Sequence, residues 1–307
     1  MAKSWLYPDE AKTGVTTPAD DERARAAEAA GAVVFYVVRH GETEFNERHL
    51  VQGWSDAPLT KAGRAIAQQV GAGLASVDFE RAYASDLGRA QATCDLLLRS
   101  WATARAESAD AKAQAAAGAP AGSDVAADAG VPDGAATAPA DAAGAGSPTA
   151  MGADAAGAVP AIVPDARLRE WCYGDLEGRP GELMREVYRR GFGADLTLAQ
   201  LNDRLPEVAE VLAQSDATGR AERFDGIAQR LKSFFAEVGA SQLARGGGNV
   251  LVVTHSFAIR TIVYLIDPAR VNTPLRYANA AVTRVVYDGK TFSLIDIAST
   301  TWLDRAR

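Results

Sequence analysis

VVFYVVRHGET, residues 33–43, contains the pattern that decides the fold. Val33–Val38 is a continuous apolar run, which predicts a strand buried on both faces. The run ends just before His40, and a second apolar run, Val250–Val253, ends just before His255. Because ligands of open α/β sheets bind beyond the carboxyl ends of the strands, both histidines are expected at one edge of the sheet. That edge is the candidate active site.

The rest of the chain alternates between strand and helix patterns. Thr60 is a candidate N-cap for a helix, and Asp288-Gly289 is a typical hairpin turn. The alternation predicts an α/β fold with three layers, α/β/α, in which a mainly parallel sheet carries helices on both faces. The other predicted elements are a strand at Arg81–Ala84, helices at Leu87–Leu98, around Phe224–Val238 and at Phe257–Leu265, and hairpin strands at Val282–Tyr287 and Thr291–Ile297.

Composition divides the chain into three parts. Residues 102–163 are dominated by alanine with glycine, proline and serine, and we expect them to form a disordered insertion, because they cannot bury enough apolar surface to offset their ordering entropy. Residues 1–31 are interpreted as a polar N-terminal tail. Residues 32–101 and 164–307 together are then expected to form one domain of ordinary size.

Charge and composition limit the partners. The net charge is −7, but the tail and the alanine-rich segment hold this excess, so the remainder is close to neutral and offers no basic surface for nucleic acid. No apolar run is long enough to span a membrane, and residues 1–31 lack the pattern of a secretory signal. The chain has only two cysteines, which suits a reducing compartment, so we expect a cytoplasmic protein. The sequence carries no signal for the oligomeric state.

The residues around the two histidines suit phosphoryl transfer. A neutral imidazole is a good nucleophile near pH 7, provided that its second ring nitrogen donates to a fixed acceptor such as a backbone carbonyl. Arg39 precedes His40, and Arg89 begins a predicted helix after a strand, so both cations are expected near the same edge. Guanidinium groups match the oxygens of a phosphoryl group, which spreads negative charge over them.

These motifs resemble those of the histidine phosphatase superfamily, also called the phosphoglycerate-mutase-like family. The resemblance extends from about Val33 to Tyr287, interrupted by the alanine-rich segment, and its blocks follow the family's order. The blocks are Arg39-His40-Gly41-Glu42-Thr43 with Asn46; Gln52-Gly53, Asp56 and Pro58-Leu59-Thr60 with Gly63; Ser85, Leu87, Arg89-Ala90 and Thr93; Leu168-Arg169-Glu170, Tyr173-Gly174 and Glu177-Gly178; Thr254-His255; and Asn279-Ala280-Ala281-Val282.

The resemblance implies a role for each matching site residue. His40 would attack phosphorus, and Glu170 would protonate the leaving alcohol and later deprotonate the water that releases phosphate. A set of polar side chains would hold the phosphoryl oxygens: Arg39, Asn46, Arg89 and His255. The phosphatase chemistry of this family needs no metal, and we expect no cofactor for it; no cluster of residues with metal-ligand spacing is evident.

Three functions are compatible with these motifs. The first is a metal-independent phosphomonoesterase that acts on a small phosphorylated metabolite through a phosphohistidine. The segment 168–178, which ends in Asp-Leu-Glu-Gly, resembles the phosphatase branch and favours this function. The second is a cofactor-dependent phosphoglycerate mutase. The third is a non-catalytic module that binds a phospho-ligand or a protein, although such modules usually lose the nucleophile or an arginine. The sequence does not select a substrate.

Overall fold

The computed structural model describes residues 13–117 and 158–306, and these residues contain a mixed sheet of six strands. The strand order is β3-β2-β4-β1-β5-β6. The first four strands in this order are parallel, and the last two pair antiparallel. The strands are β1 (Val33–Arg39), β2 (Phe79–Ala84), β3 (Ile162–Pro164), β4 (Gly248–Thr254), β5 (Val282–Tyr287) and β6 (Phe292–Leu294).

Ten α-helices occur within the described residues. Four of them begin where the sequence offers a side-chain cap: Thr17, Thr43, Thr60 and Thr197 each accept a backbone N–H from the first turn. The helices are α1 (Pro18–Ala29), α2 (Glu44–Glu47), α3 (Lys61–Gly73), α4 (Gly88–Ala117), α5 (Gly181–Phe192), α6 (Leu198–Asn202), α7 (Leu205–Ser215), α8 (Phe224–Leu243), α9 (Ser256–Ile266) and α10 (Thr301–Asp304).

The apolar residues of β1 alternate between two hydrophobic cores. Val33, Phe35 and Val37 belong to one core, which also includes side chains of α5, α7, α8 and α9. Val34 and Val38 belong to the other, which includes side chains of α3 and α4. All seven residues of β1 are buried, because each face of the strand carries a layer of helices. The predicted three-layer α/β fold is therefore confirmed.

Two segments differ from the sequence-based expectation. The polar tail predicted over residues 1–31 contains α1, whose Ala24 is buried in the core that α3 and α4 share. The expectation of disorder from residue 102 is wrong at the start of the segment, where α4 continues to Ala117, and at its end, where Ile162–Pro164 pairs with β2. The rest of the predicted insertion, residues 118–157, lies outside the described residues.

The buried Arg284 joins α1 to the sheet. Arg284 of β5 is 1% exposed and donates from Nε and Nη2 to the carboxylate of Asp296, at 3.1 and 2.8 Å. Its Nη1 donates to Asp21 of α1 at 2.9 Å. Because both charges of the inner pair are buried, removing one partner leaves the other without compensation.

The Arg284→Met variant is therefore expected to lower the free energy of unfolding by about 3–5 kcal/mol, as measured by urea denaturation. Arg305→Met is the matched control, because Arg305 also binds Asp21 but is 31% exposed. That variant should lose no more than about 1 kcal/mol. Equal losses in the two variants would show that the buried Arg284 pair stabilises the fold no more than an exposed ion pair does.

Candidate active site

His40 stands at the junction of the two central strands. Its backbone N–H donates to Thr254 O at 2.9 Å, which joins the carboxyl ends of β1 and β4. Its ring Nδ1 lies 2.8 Å from Gly41 O. A carbonyl oxygen can only accept a hydrogen bond, so Nδ1 carries the proton and Nε2 keeps its lone pair. The backbone therefore fixes the tautomer that a nucleophilic imidazole needs.

His255 follows β4 and caps α9, and its ring centroid lies 5.1 Å from that of His40. His255 is fully buried, and neither of its ring nitrogens has a hydrogen-bond partner among the described residues. Burial lowers the pKa of both histidines well below the usual value, and the nearby Arg89 lowers it further. Both imidazoles are consequently neutral near pH 7.

Two buried arginines lie close to the histidine pair. Arg39 donates from Nη1 to Tyr277 O at 2.5 Å. Arg89 is 1% exposed and donates from Nη2 to Gly53 O at 2.7 Å, and from Nη1 to Ser55 O and Asp56 Oδ1 at 3.0 Å. The buried Nε of Arg89 has no hydrogen-bond partner among the described residues.

Glu177 shapes the loop that holds Arg89. Its carboxylate accepts the backbone N–H groups of Gly53, Trp54 and Ser55 at 2.8–3.0 Å, and that of Tyr173 at 3.0 Å. The carbonyls of Gly53 and Ser55 are thereby directed to the guanidinium of Arg89. Sequence analysis matched Glu177 to the family pattern but did not predict that it holds this loop in place.

Asn46 is positioned by a capping box at the start of α2. Its Oδ1 accepts the backbone N–H of Thr43 at 3.2 Å, and Thr43 Oγ1 accepts the backbone N–H of Asn46 at 3.2 Å. Asn279 donates from Nδ2 to the same Asn46 oxygen at 3.2 Å, and to His40 O at 3.1 Å. Asn279, which the sequence analysis matched without assigning it a role, thus links Asn46 to the histidine turn.

Glu170 is buried at the N-terminus of α9. Its carboxylate accepts three backbone N–H groups, from Ala258 at 2.9 Å, Phe257 at 3.0 Å and Trp171 at 3.1 Å. Burial raises the pKa of Glu170, while these donors and Arg89 oppose that rise. The raised pKa favours a proton on a carboxyl group that points into the site, as a general acid requires.

Arg230 of α8 fixes the backbone on both sides of Glu170. Its Nη1 donates to Arg167 O at 2.8 Å and Arg169 O at 2.6 Å, and its Nη2 donates to Glu170 O at 3.0 Å. Glu222 holds the guanidinium in turn, with Oε1 2.9 Å from Nε. Nothing in the sequence pattern identified Arg230 or Glu222.

Four of the predicted site residues line one small cavity together: Arg39, His40, Asn46 and Glu170. His255 and Arg89 are not among its lining residues. Arg89 nevertheless affects the pKa of His40, His255 and Glu170, so its charge acts on the same cavity. Arg89 and His255 are therefore linked to this cavity through their electrostatic interactions with His40.

The described residues contain neither a metal-type cluster nor a candidate membrane span. No group of three or more His, Cys, Asp or Glu side chains in residues 13–117 and 158–306 could hold a metal ion. None of the helices in these ranges combines the length and apolar character needed to cross a bilayer.

The buried histidines predict a dependence of stability on pH. Below pH 6.5, the ordinary histidine pKa, the unfolded chain takes up protons that the folded chain does not, so the free energy of unfolding should fall as the pH falls. Each histidine contributes at most about 1.4 kcal/mol per pH unit. His255→Gln should therefore show a shallower loss than wild type in urea denaturation from pH 6.5 to about 5.

The exposed His49 supplies the control for this measurement. His49 has a positive φ of 55°, which asparagine tolerates well, so His49→Asn removes a histidine at little structural cost. A His49→Asn slope as shallow as that of His255→Gln would show that burial of His255 is not the cause.

Comparison with curated proteins finds local matches to enzymes described as probable phosphoglycerate mutases. The GpmB proteins of Salmonella choleraesuis and Salmonella arizonae are 44% identical over 62 residues, which is 20% of this chain. The match spans only 29% of the length of these relatives.

Comparison with solved structures extends over most of the chain. A phosphoglycerate mutase from Bacillus anthracis has a TM-score of 0.68 at 25% identity, over 90% of this chain and 96% of that one. Two further structures share the fold. A putative α-ribazole-5′-phosphate phosphatase from Escherichia coli has a TM-score of 0.52 at 20% identity, over 87% of this chain and 98% of that one. A mycobacterial glucosyl-3-phosphoglycerate phosphatase has a TM-score of 0.55 at 18% identity, over 88% and 100%.

A family model matches most of the chain in two segments, residues 35–112 and 148–300. These segments contain every residue of the cavity and both buried histidines. The chain belongs to the histidine phosphatase superfamily, branch 1.

Proposed function

We propose that this chain is a metal-independent phosphomonoesterase that transfers the phosphoryl group of a small phosphorylated metabolite to His40 and then to water. One observation carries the proposal. The fixed tautomer of His40 leaves Nε2 nucleophilic in the same cavity as a buried carboxyl group, Glu170, whose pKa is raised. A nucleophile and a protonated acid are the two groups that cleavage of a phosphate ester requires.

The first half of the reaction forms a phosphohistidine. Nε2 of His40 attacks phosphorus, the bond from phosphorus to the alcohol oxygen breaks, and Glu170 gives its proton to that oxygen. In the second half, a water molecule attacks phosphorus while Glu170 takes its proton, and the bond to Nε2 breaks. Inorganic phosphate and the alcohol are the products, and both side chains return to their initial state.

Charge stabilisation comes from side chains around the cavity. Arg39 and Asn46 line the cavity beside His40. Three buried polar atoms without a protein partner among the described residues, Arg89 Nε and both ring nitrogens of His255, suit the oxygens of a phosphoryl group. A phosphate dianion would favour the protonated form of His255, reversing the effect of burial on its pKa.

A phosphoglycerate mutase is the second candidate function, because proteins described as phosphoglycerate mutases appear among the curated relatives and among the similar structures. The test uses purified full-length chain in excess chelator, with p-nitrophenyl phosphate, 3-phosphoglycerate, and 3-phosphoglycerate primed with 2,3-bisphosphoglycerate. Release of inorganic phosphate supports the proposal. Interconversion of 2- and 3-phosphoglycerate that outpaces phosphate release would identify a mutase.

The remaining outcomes of this test contradict the proposal. If the chelator abolishes turnover and a divalent cation restores it, the claim of metal independence is wrong. If no ester turns over but the chain binds inorganic phosphate in calorimetry, a non-catalytic binding module takes its place.

A further inference from the structure

A second, larger cavity adjoins the small cavity that contains His40 and Glu170. The two cavities share four lining residues: Arg39, Met184, Ser256 and Phe257. The larger one has a volume of about 320 Å³, which lies at the lower end of the range for sites that enclose a drug-sized ligand. We call it the side cavity.

The side cavity adjoins the carboxyl group that would protonate the leaving alcohol. The alcohol oxygen has to reach the carboxyl group of Glu170, which accepts the backbone N–H of Phe257 at 3.0 Å. Phe257 and Met184 line both cavities, so the body of an alcohol bound at Glu170 would extend past them into the side cavity. The volume of the side cavity would then limit the size of the alcohol.

The wall of the side cavity is largely apolar. Side chains of α5, α6 and α7 contribute aliphatic surface, represented by Met184, Leu198 and Val208. The ring of Tyr277 contributes aromatic surface, and the guanidinium carbon of Arg260 lies 4.1 Å from its centroid. Apolar groups of a ligand bind such a wall favourably, because binding removes their surface from contact with water.

The charged residues that line the side cavity are all cationic. Among the described residues it is lined by Arg39, Arg260 and Arg276, and by no aspartate or glutamate. Arg260 is 4% exposed and donates to Val271 O at 2.6 Å, so its charge is held in a poorly hydrated place. A positive charge on the alcohol would be repelled there, with little screening by solvent.

We infer that the side cavity selects phosphate monoesters of bulky, largely apolar alcohols that carry no positive charge. The inference rests on the proposed phosphomonoesterase function and deepens it. A three-carbon glycerate would leave much of the side cavity unfilled and would not use its apolar wall. An alcohol the size of an arylalkyl group would fill the cavity and bury its ring against Met184, Leu198 and Tyr277.

The test compares phosphate esters of three primary alkanols built on the same propyl chain: 3-phenylpropyl, propyl and 3-aminopropyl phosphate. Inorganic phosphate release is measured for each with the full-length chain. We expect kcat/KM for the phenylpropyl ester to exceed that for the propyl ester at least about tenfold. This factor corresponds to only part of the free energy that is gained when a phenyl ring is fully buried. The aminopropyl ester should fall at least about tenfold below the propyl ester.

A pair of tryptophan variants locates the selectivity. Leu198→Trp places a large ring in the side cavity and should reduce the ratio of the phenylpropyl to the propyl value to about one. Leu196→Trp is the matched control, because Leu196 is partly buried two residues away and does not line the cavity. It should preserve the wild-type ratio.

The outcomes separate this inference from the function on which it rests. If none of the three esters and no aryl phosphate is hydrolysed, the proposed function itself is wrong. If the esters are hydrolysed with equal kcat/KM, or if the aminopropyl ester is preferred, the function stands and the inference about the side cavity is wrong. A ratio that falls equally in the two tryptophan variants also overturns the assignment to the side cavity.

Discussion

The variant His40→Ala is expected to lower kcat/KM for p-nitrophenyl phosphate by at least about 10⁴-fold, because removing a covalent nucleophile removes the intermediate itself. Among the described residues, no other histidine lines the cavity that contains Glu170. His255 lies next to His40 but is not among the lining residues. Phosphate release by wild type and variant, measured under identical conditions, gives the ratio.

Two further measurements make this result specific for the chemistry. Wild-type chain stopped during turnover of a labelled substrate should carry acid-labile phosphate on a histidine, and His40→Ala should carry none. His49→Asn, which alters an exposed turn, should retain wild-type kcat/KM. A His40→Ala variant that retained more than a hundredth of the activity would exclude His40 as the nucleophile.

Much of the fold could be predicted from short-range patterns of apolar residues in the sequence. β1 and β4 are buried on both faces, and a strand in that position must be apolar at every residue, as Val33–Val38 and Val250–Val253 are. The two strands pair in parallel with Val38 opposite Val253, so His40 and His255 come together at the same edge. The predicted proximity of the histidines is therefore confirmed by the register of two adjacent strands.

The elements that sequence analysis missed are stabilised by contacts distant along the chain. Helix α1 presents a polar sequence with little apolar periodicity, and one of its contacts with the sheet joins Asp21 to Arg284, 263 residues later. Arg230 reaches the backbone around Glu170 from about 60 residues downstream. The bonds of Arg230 to the backbone leave no periodic signal, because the carbonyl of any residue type can accept such a bond.

The structure distinguishes the candidate acids by their surroundings, which their spacing in the sequence could not do. Asp165, Asp175 and Glu177 lie near Glu170 in the sequence, and only the family motif distinguished Glu170 from them. In the structure Asp165 pairs with Arg167, Glu177 accepts backbone N–H groups of a loop, and Asp175 is exposed. Glu170 alone of the four lines the cavity with His40.

The variant Glu170→Gln should show a loss that depends on the leaving group. For propyl phosphate, whose alkoxide must be protonated as it departs, kcat/KM is expected to fall by about 10²–10⁴. For p-nitrophenyl phosphate, whose phenolate is a stable anion, kcat/KM should fall far less. Because kcat/KM includes only the steps through departure of the alcohol, later hydrolysis of the phosphohistidine does not enter the comparison.

The dependence of kcat/KM on pH is a second test of Glu170 as the general acid. Burial raises the pKa of Glu170, and the acid acts in its protonated form, so kcat/KM for propyl phosphate should fall as the pH rises through that pKa. Glu170→Gln cannot lose this proton and should lack that basic limb. Asp175→Asn, which neutralises an exposed carboxyl group five residues away, is the matched control and should keep both the limb and the wild-type ratio of the two esters.

Glutamine cannot reproduce every bond of the carboxylate that it replaces. Oε1 and Oε2 of Glu170 both accept N–H groups, whereas the amide nitrogen of glutamine can only donate, so the N–H of Phe257 would lose its acceptor. Some loss of stability is therefore expected, but unfolding reduces the rates with both esters by the same factor. The ratio of the two kcat/KM values within one variant is independent of the folded fraction. Equal losses for the propyl and nitrophenyl esters would mean that Glu170 supports the structure of the site and does not donate the proton.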